Sequence, residues 1–213
     1  MLDIKTSLAL IQHNFPQIEV QTALPIIRGW DSFVLEVNEL HSFPITRAMQ
    51  TGVQGHTPAE WRERYQERYI DLQVRVFPLL DKESRAKSEQ LWEDFLNNET
   101  IFAFRPVLIH CDLACEHIFC DPVRGVLTGV IDWGDATIGD PALDFVGLHH
   151  GRGSELTEHV LACYKGTVDA AFWKRMNFYL CYRPFSELLY GVYSNSEKFI
   201  AKGIEGLHSM FRA

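Results

Sequence analysis

A mostly helical α+β fold is predicted by three observations. Apolar and aromatic residues recur at helical spacing on both sides of the chain's middle. The middle itself carries short apolar runs bounded by turn residues. Of the 213 residues, 46% are hydrophobic and 12% aromatic, enough for a sizeable core and too many for a disordered chain. That length suits one large domain or one and a half.

The elements follow in order. Thr6 to Asn14 reads as a short amphipathic helix. The runs Ile18–Val20, Leu24–Ile27 and Phe33–Val37, with Arg28-Gly29-Trp30-Asp31-Ser32 between the last two, read as a small β-hairpin. From Leu40 the pattern turns helical. Thr57-Pro58-Ala59-Glu60 places an N-cap, a first-turn proline and a capping-box glutamate ahead of Trp61, Tyr65, Tyr69, Leu72 and Val76, so a helix is predicted to about Phe77, where Pro78 stops it. A second helix follows Asp81 with Ala86, Leu91, Trp92 and Phe95 inward. Pro106–His110 and Val126–Asp132 read as strands, with turn chemistry in Asp121–Gly125. Beyond them Asp140 is the expected N-cap of one helix, Ser154 of another and Asp169 of a third, which Pro184 kinks or ends.

Composition bears on partners. With 20 Lys and Arg against 28 Asp and Glu the formal charge is −8, which repels phosphate backbones, so no nucleic-acid partner is expected and a small cationic ligand fits the sign. Met1 to Leu10 holds no basic stretch leading into an apolar run, and no segment reaches the roughly 18 apolar residues of a membrane span. A cytoplasmic chain without a membrane partner is expected. Five cysteines, an odd number, read as reduced thiols, and none has a second pair at zinc spacing.

The densest polar cluster in apolar surroundings is His110-Cys111-Asp112 with Glu116-His117, followed by Asp132 and Asp135 after the next strand. Carboxylates and imidazoles at strand ends suit a hard cation, or a carboxylate base that takes a proton from a hydroxyl. The same residues also suit turn-forming aspartates and satisfied core histidines, and a metal-dependent phosphohydrolase remains open on ligand types alone.

In order, His110-x-Asp112-x4-His117, Ile131-Asp132-Trp133-Gly134-Asp135-Ala136 and Gly139-Asp140-Pro141-Ala142-x-Asp144-Phe145 resemble the catalytic core of the aminoglycoside phosphotransferase family, relatives of the protein kinases. The likeness is strongest over Val107 to Leu148 and extends loosely to Leu40-His41-Ser42-Phe43-Pro44 and to the late helices. It implies a protein-kinase-like C-terminal lobe over residues 40–213, and a remnant of the nucleotide-binding N-terminal lobe, the β-hairpin, over residues 1–39. It implies Asp112 as the base for the acceptor hydroxyl, His117 and Asp132 as ligands of Mg²⁺, and ATP or GTP as phosphate donor. His117 stands where the family usually has asparagine. His110, Asp135 and Asp144 are implied as supporting residues, Asp144 tying down the catalytic loop. Gly29 and Ser32 are implied at the nucleotide, in the first hairpin turn. Glu187, Tyr190 and Glu197 are implied on an acidic face for the acceptor, with a solvated helix surface as the plain alternative.

The family's phosphate-binding lysine, its glutamate partner and the hinge have no counterpart, since Val37-Asn38-Glu39 runs straight into Leu40 and no lysine lies between Lys5 and Lys82. The expected function is transfer of a γ-phosphate to a hydroxyl of a small molecule such as an aminoglycoside, impaired by the truncated lobe. A non-catalytic ligand-binding or regulatory remnant is the alternative.

Overall fold

A computed structural model of the chain describes residues 30–121 and 126–212. Among the described residues four helices come first: α1 (Trp30–Ser42), α2 (Ile45–Gln50), α3 (Pro58–Arg75) and α4 (Lys82–Leu96). Four short strands occupy the middle: β1 (Val107–Ile109), β2 (Ile118–Asp121), β3 (Val126–Val130) and β4 (Thr137–Gly139). Three long helices close the chain: α5 (Ala142–Ala162), α6 (Phe172–Tyr193) and α7 (Glu197–Arg212). The mostly helical α+β class predicted from sequence is what the chain adopts.

Local signals decide α3 and α4. The Thr57 hydroxyl accepts from the Glu60 N–H, and the Glu60 carboxylate accepts from the Thr57 N–H at 2.8 Å, closing the capping box ahead of Pro58. Helix α3 ends at Arg75, and Pro78 sits in the 3₁₀ turn Phe77–Leu79 that follows. Asp81 caps α4 by accepting from the N–H groups of Glu83 and Ser84. On α4, Trp92 and Phe95 point inward as expected, whereas Ala86 is exposed and Ser84 and Ser88 are buried instead, Ser88 Oγ donating to the Ser84 carbonyl at 2.7 Å. The core is aromatic, with Trp61, Tyr65, Trp92, Phe95 and Phe178 packed between α3, α4 and α6; the Phe95 and Phe178 rings stack at 3.6 Å.

Several expectations are corrected. Phe33–Val37 is not a hairpin strand but part of α1, which crosses residue 39 without a break; Glu36, Val37, Leu40 and His41 fall on one helical face and are buried. Packing against α5, β1 and β3 outweighs the β-preference of the run. The remaining hairpin runs and Thr6–Asn14 lie outside the described residues. The two predicted strands are present as β1 and β3 and belong to different pairs: β1 runs antiparallel to β4 (Leu108 opposite Ile138), and β3 to β2 (Ile118 opposite Val130). Asp140 is not the N-cap of α5: Pro141 is, although an Asp140 oxygen still accepts from the Ala142 N–H at 3.0 Å. Gly153, at φ 78°, breaks α5 just before Ser154. Pro184 lies inside α6, which continues to Tyr193.

This topology assembles the middle of the chain. With β4 returning beside β1, the residues after β1 and those before β4 meet at one end of the pair. Helix α5 lies directly on the first of these loops: a β-carbon at Gly147 would stand 2.4 Å from the Leu113 carbonyl oxygen, and one at Gly151 2.4 Å from Cys115 Sγ.

Candidate functional site

The loop after β1 begins with His110, fully buried, and turns at Cys111, whose φ of 68° is left-handed and unfavourable for a residue with a β-carbon. The buried Asp144 carboxylate on α5 holds that turn, accepting from the His110 N–H at 3.0 Å and the Cys111 N–H at 2.9 Å. Asp144 also accepts from His41 Nε2 on α1 at 3.1 Å; because a carboxylate only accepts, that nitrogen carries the proton, and His41 Nδ1 accepts from the Tyr164 hydroxyl at 2.7 Å. Sequence reasoning gave His41 no role; a lone histidine on the buried face of a helix was its available signal. Burial, and then the charge of Asp144, pushes the Cys111 thiol up to about 12, which keeps it out of thiolate chemistry.

A second left-handed residue, Asp132 at φ 68°, follows β3. The two loops are joined across the backbone: His110 Nε2–H donates to the Ile131 carbonyl at 2.9 Å, and the Ile131 N–H to the His117 carbonyl at 3.0 Å. Trp133 packs edge-on against the His110 ring at 4.7 Å and donates its Nε1–H to the Val130 carbonyl at 2.9 Å.

These constraints bring Asp112, His117 and Asp132 together, one ligand atom from each lying within 4.8 Å of the others. His117 sits 2.8 Å from the Asp112 carbonyl through Nδ1, so Nδ1 carries the proton and Nε2 presents its lone pair, 3.8 Å from Asp132 Oδ2. His117 Nδ1 is also 3.6 Å from Asp112 Oδ2. The Asp112 and Asp132 side chains are 56% and 65% exposed. Two like charges converging beside an oriented imidazole suit a divalent cation with mainly oxygen ligands, and the donors match Mg²⁺ except for one softer nitrogen.

The other sequence-derived candidates lie elsewhere. Asp135, exposed, ends the 3₁₀ turn Trp133–Asp135 and lines a cleft of about 770 Å³ rather than joining the cluster. Gly29 lies outside the described residues, and Ser32 is within α1 rather than in a hairpin turn. Glu187 pairs with Lys202 at 2.6 Å and Arg183 at 3.3 Å, so its charge is already matched. Tyr190 packs edge-on against Phe199 at 4.7 Å, and Glu197 is exposed in the first turn of α7. Behind β4, Asp140 accepts from Arg175 Nε at 2.6 Å and the Tyr179 hydroxyl at 2.7 Å, while Arg175 also forks onto Asp169. Sequence reasoning did not single out Arg175, whose signal is a lone cation on the apolar face of Phe172, Met176 and Tyr179.

Comparison with known proteins is consistent with this geometry. The model of the phosphotransferase enzyme family (APH) matches residues 20–178. Viomycin phosphotransferase from Streptomyces vinaceus is 26% identical over 156 residues, covering 72% of this chain and 53% of that protein. Protein YcbJ of Bacillus subtilis is 28% identical over 141 residues, covering 65% of this chain and 42% of that protein. The chain thus spans about half the length of these curated relatives. Among solved structures, a GDP and kanamycin complex of APH(2")-IIIa superposes with a TM-score of 0.75 at 28% identity, over 85% of this chain and 62% of that one. A macrolide 2'-phosphotransferase type I, at 22% identity and a TM-score of 0.71 over 89% of this chain and 64% of that one, shares the fold. With three quarters of its length inside the family model and the kinase-like architecture in place, the chain belongs to the phosphotransferase enzyme family.

Proposed function

We propose that this chain moves the γ-phosphate of ATP or GTP onto a hydroxyl of a small molecule such as an aminoglycoside. The convergence of Asp112, His117 and Asp132 carries this reading. The Asp112 carboxylate, exposed at the tip of a loop pinned by Asp144, accepts the proton of the incoming hydroxyl and orients its oxygen. His117 and Asp132 would hold Mg²⁺, which when bound neutralises charge on the donor phosphates. The hydrogen bond from His117 Nδ1 to the Asp112 carbonyl keeps Nε2 directed at the metal position, and a nitrogen donor binds only in its unprotonated form. The related structure, a complex with GDP and kanamycin, supports this donor and acceptor class.

Transfer assays with Mg-ATP or Mg-GTP and kanamycin test the reading. Asp112→Ala is expected to lower transfer about 10²- to 10⁴-fold, the usual worth of a positioned base. An unchanged rate removes Asp112 from its role.

A second reading, acceptor binding without transfer, is favoured by the stretch without lysine between Lys5 and Lys82. Calorimetry separates the two: a binding module takes up kanamycin and ignores Mg-nucleotide, whereas the enzyme binds both.

A further inference from the structure

Away from the reacting groups, a pocket of about 450 Å³ opens at the end of β1 opposite His110. There α1, the turn into α2, the segment before β1 and the loop after α5 meet. That volume holds a small organic molecule. The other large cavities carry less. The cleft of about 770 Å³ around Trp133 and Asp135 belongs to the loops already described, and in the groove of about 870 Å³ between α4 and α6 three carboxylates, Glu93, Asp94 and Glu99, accompany one cation, Lys174.

The charge of the pocket runs against that of the chain. In a sequence of net charge −8, the described residues that line it include Arg105 and Lys165 and no Asp or Glu. Among the described residues neither of these side-chain cations has an ion pair or hydrogen bond, and Lys165 is held only through its backbone N–H. A concave surface with two unmatched cations attracts an anion.

The walls are fixed and partly apolar. Asn38 on α1 clamps the loop after α5, its amide donating to the Cys163 carbonyl at 3.1 Å and its oxygen accepting from the Lys165 N–H at 2.6 Å. Phe43, with the Arg47 guanidinium 5.7 Å over its ring, joins Pro44, Pro106 and Pro141 as stiff apolar surface. Tyr164 forms another wall and donates its hydroxyl to His41 Nδ1 at 2.7 Å; His41, only 8% exposed, donates in turn to Asp144. The pocket therefore lies at the outer end of the hydrogen-bond chain that holds the His110 and Cys111 N–H groups.

We propose that this pocket binds an organic phosphomonoester, its phosphate on Arg105 and Lys165 and its apolar body against Phe43 and the prolines. Two cations match a dianion better than a single carboxylate, and the apolar walls favour a substituted phosphate over the bare ion. The site is separate from Asp112, His117 and Asp132, where donor phosphates would be met through Mg²⁺, and it stands or falls independently of the phosphotransfer reading.

The test is calorimetry without Mg²⁺ or nucleotide, above about pH 7, where a phosphomonoester carries close to two charges. Phenyl phosphate, inorganic phosphate and benzoate serve as probes. The wild type binds phenyl phosphate most tightly. Arg105→Gln and Lys165→Gln each weaken it about tenfold, the scale of one charge-assisted hydrogen bond, and added salt weakens it further. Phe43→Ala lowers phenyl phosphate toward the affinity of inorganic phosphate and leaves inorganic phosphate unchanged, while Lys174→Gln, in the other groove, alters neither. The substituted cations are exposed, and thermal unfolding checks that every variant remains folded. Phenyl phosphate that is not bound, that is bound equally well by the Arg105→Gln/Lys165→Gln double variant, or that binds no more tightly than benzoate overturns the proposal.

Discussion

Two polar clusters flank the three-residue strand β4, and they are built on opposite terms. Before it, Asp112, His117 and Asp132 converge in the open, with two carboxylates more than half exposed and, among the described residues, no Lys or Arg paired with them. After it, Asp140 is fully buried and accepts from Arg175, Tyr179 and Ala142, while Arg175 spends its remaining donors on Asp169 and the Ile101 carbonyl. Burial works against the Arg175 charge, and the hydrogen bonds and charges of Asp169 and Asp140 outweigh it, holding the guanidinium above its usual range. A buried charge must be fully partnered to persist, whereas an exposed cluster can leave its lone pairs for a ligand. Saturation thus marks the scaffold, and unsatisfied convergence marks the site.

The sharpest way to break that contrast is Arg175→Ala, which strands Asp140 and is expected to cost about 3–5 kcal/mol of stability in urea unfolding. A loss below about 1 kcal/mol would mean the network is not what holds α6 to the strand region. Next comes pH. Glu36 is buried on α1, and burial first, then the negative charges of Glu39 and Asp144, pushes its carboxyl up to about 7. The folded chain therefore keeps a proton that the unfolded chain releases from about 4.5 upward. Stability is expected to fall as pH rises from about 4.5 to about 7 and then to level off, by on the order of 3 kcal/mol, and Glu36→Gln should flatten the profile. Thr57→Ala removes one half of the capping box and should cost about 1 kcal/mol, read from the urea midpoint. Smallest of all, Asp112→Ala should leave stability within about 0.5 kcal/mol of the wild type, because the carboxylate it removes is exposed and sits beside another. A large destabilisation there would move Asp112 from the site into the scaffold.

Legibility tracked the range of the interaction. Thr57, Pro58 and Glu60 specify the start of α3 within four residues, and Asp81 does the same for α4. The motif aspartates and His117 were visible because they are polar residues in apolar runs. Invisible from sequence were the pairing of β1 with β4, the inward turn of Ser84 and Ser88 in place of Ala86, and the helical state of Phe33–Val37. In that run the same branched and aromatic side chains suit either structure, and neighbours distant in sequence choose between them.

By itself the sequence determined the chemistry available: an acidic chain, two motifs carrying carboxylates and an imidazole, and helices punctuated by their own caps. Only the tertiary structure decided which of those groups meet. Asp144 reaches back 34 residues to the His110 N–H, and His41 reaches forward 103 residues to Asp144, because the return of β4 beside β1 and the laying of α5 on the loop bring them there. Such contacts depend on excluded volume and shared burial across the whole lobe, which no local pattern of residues encodes.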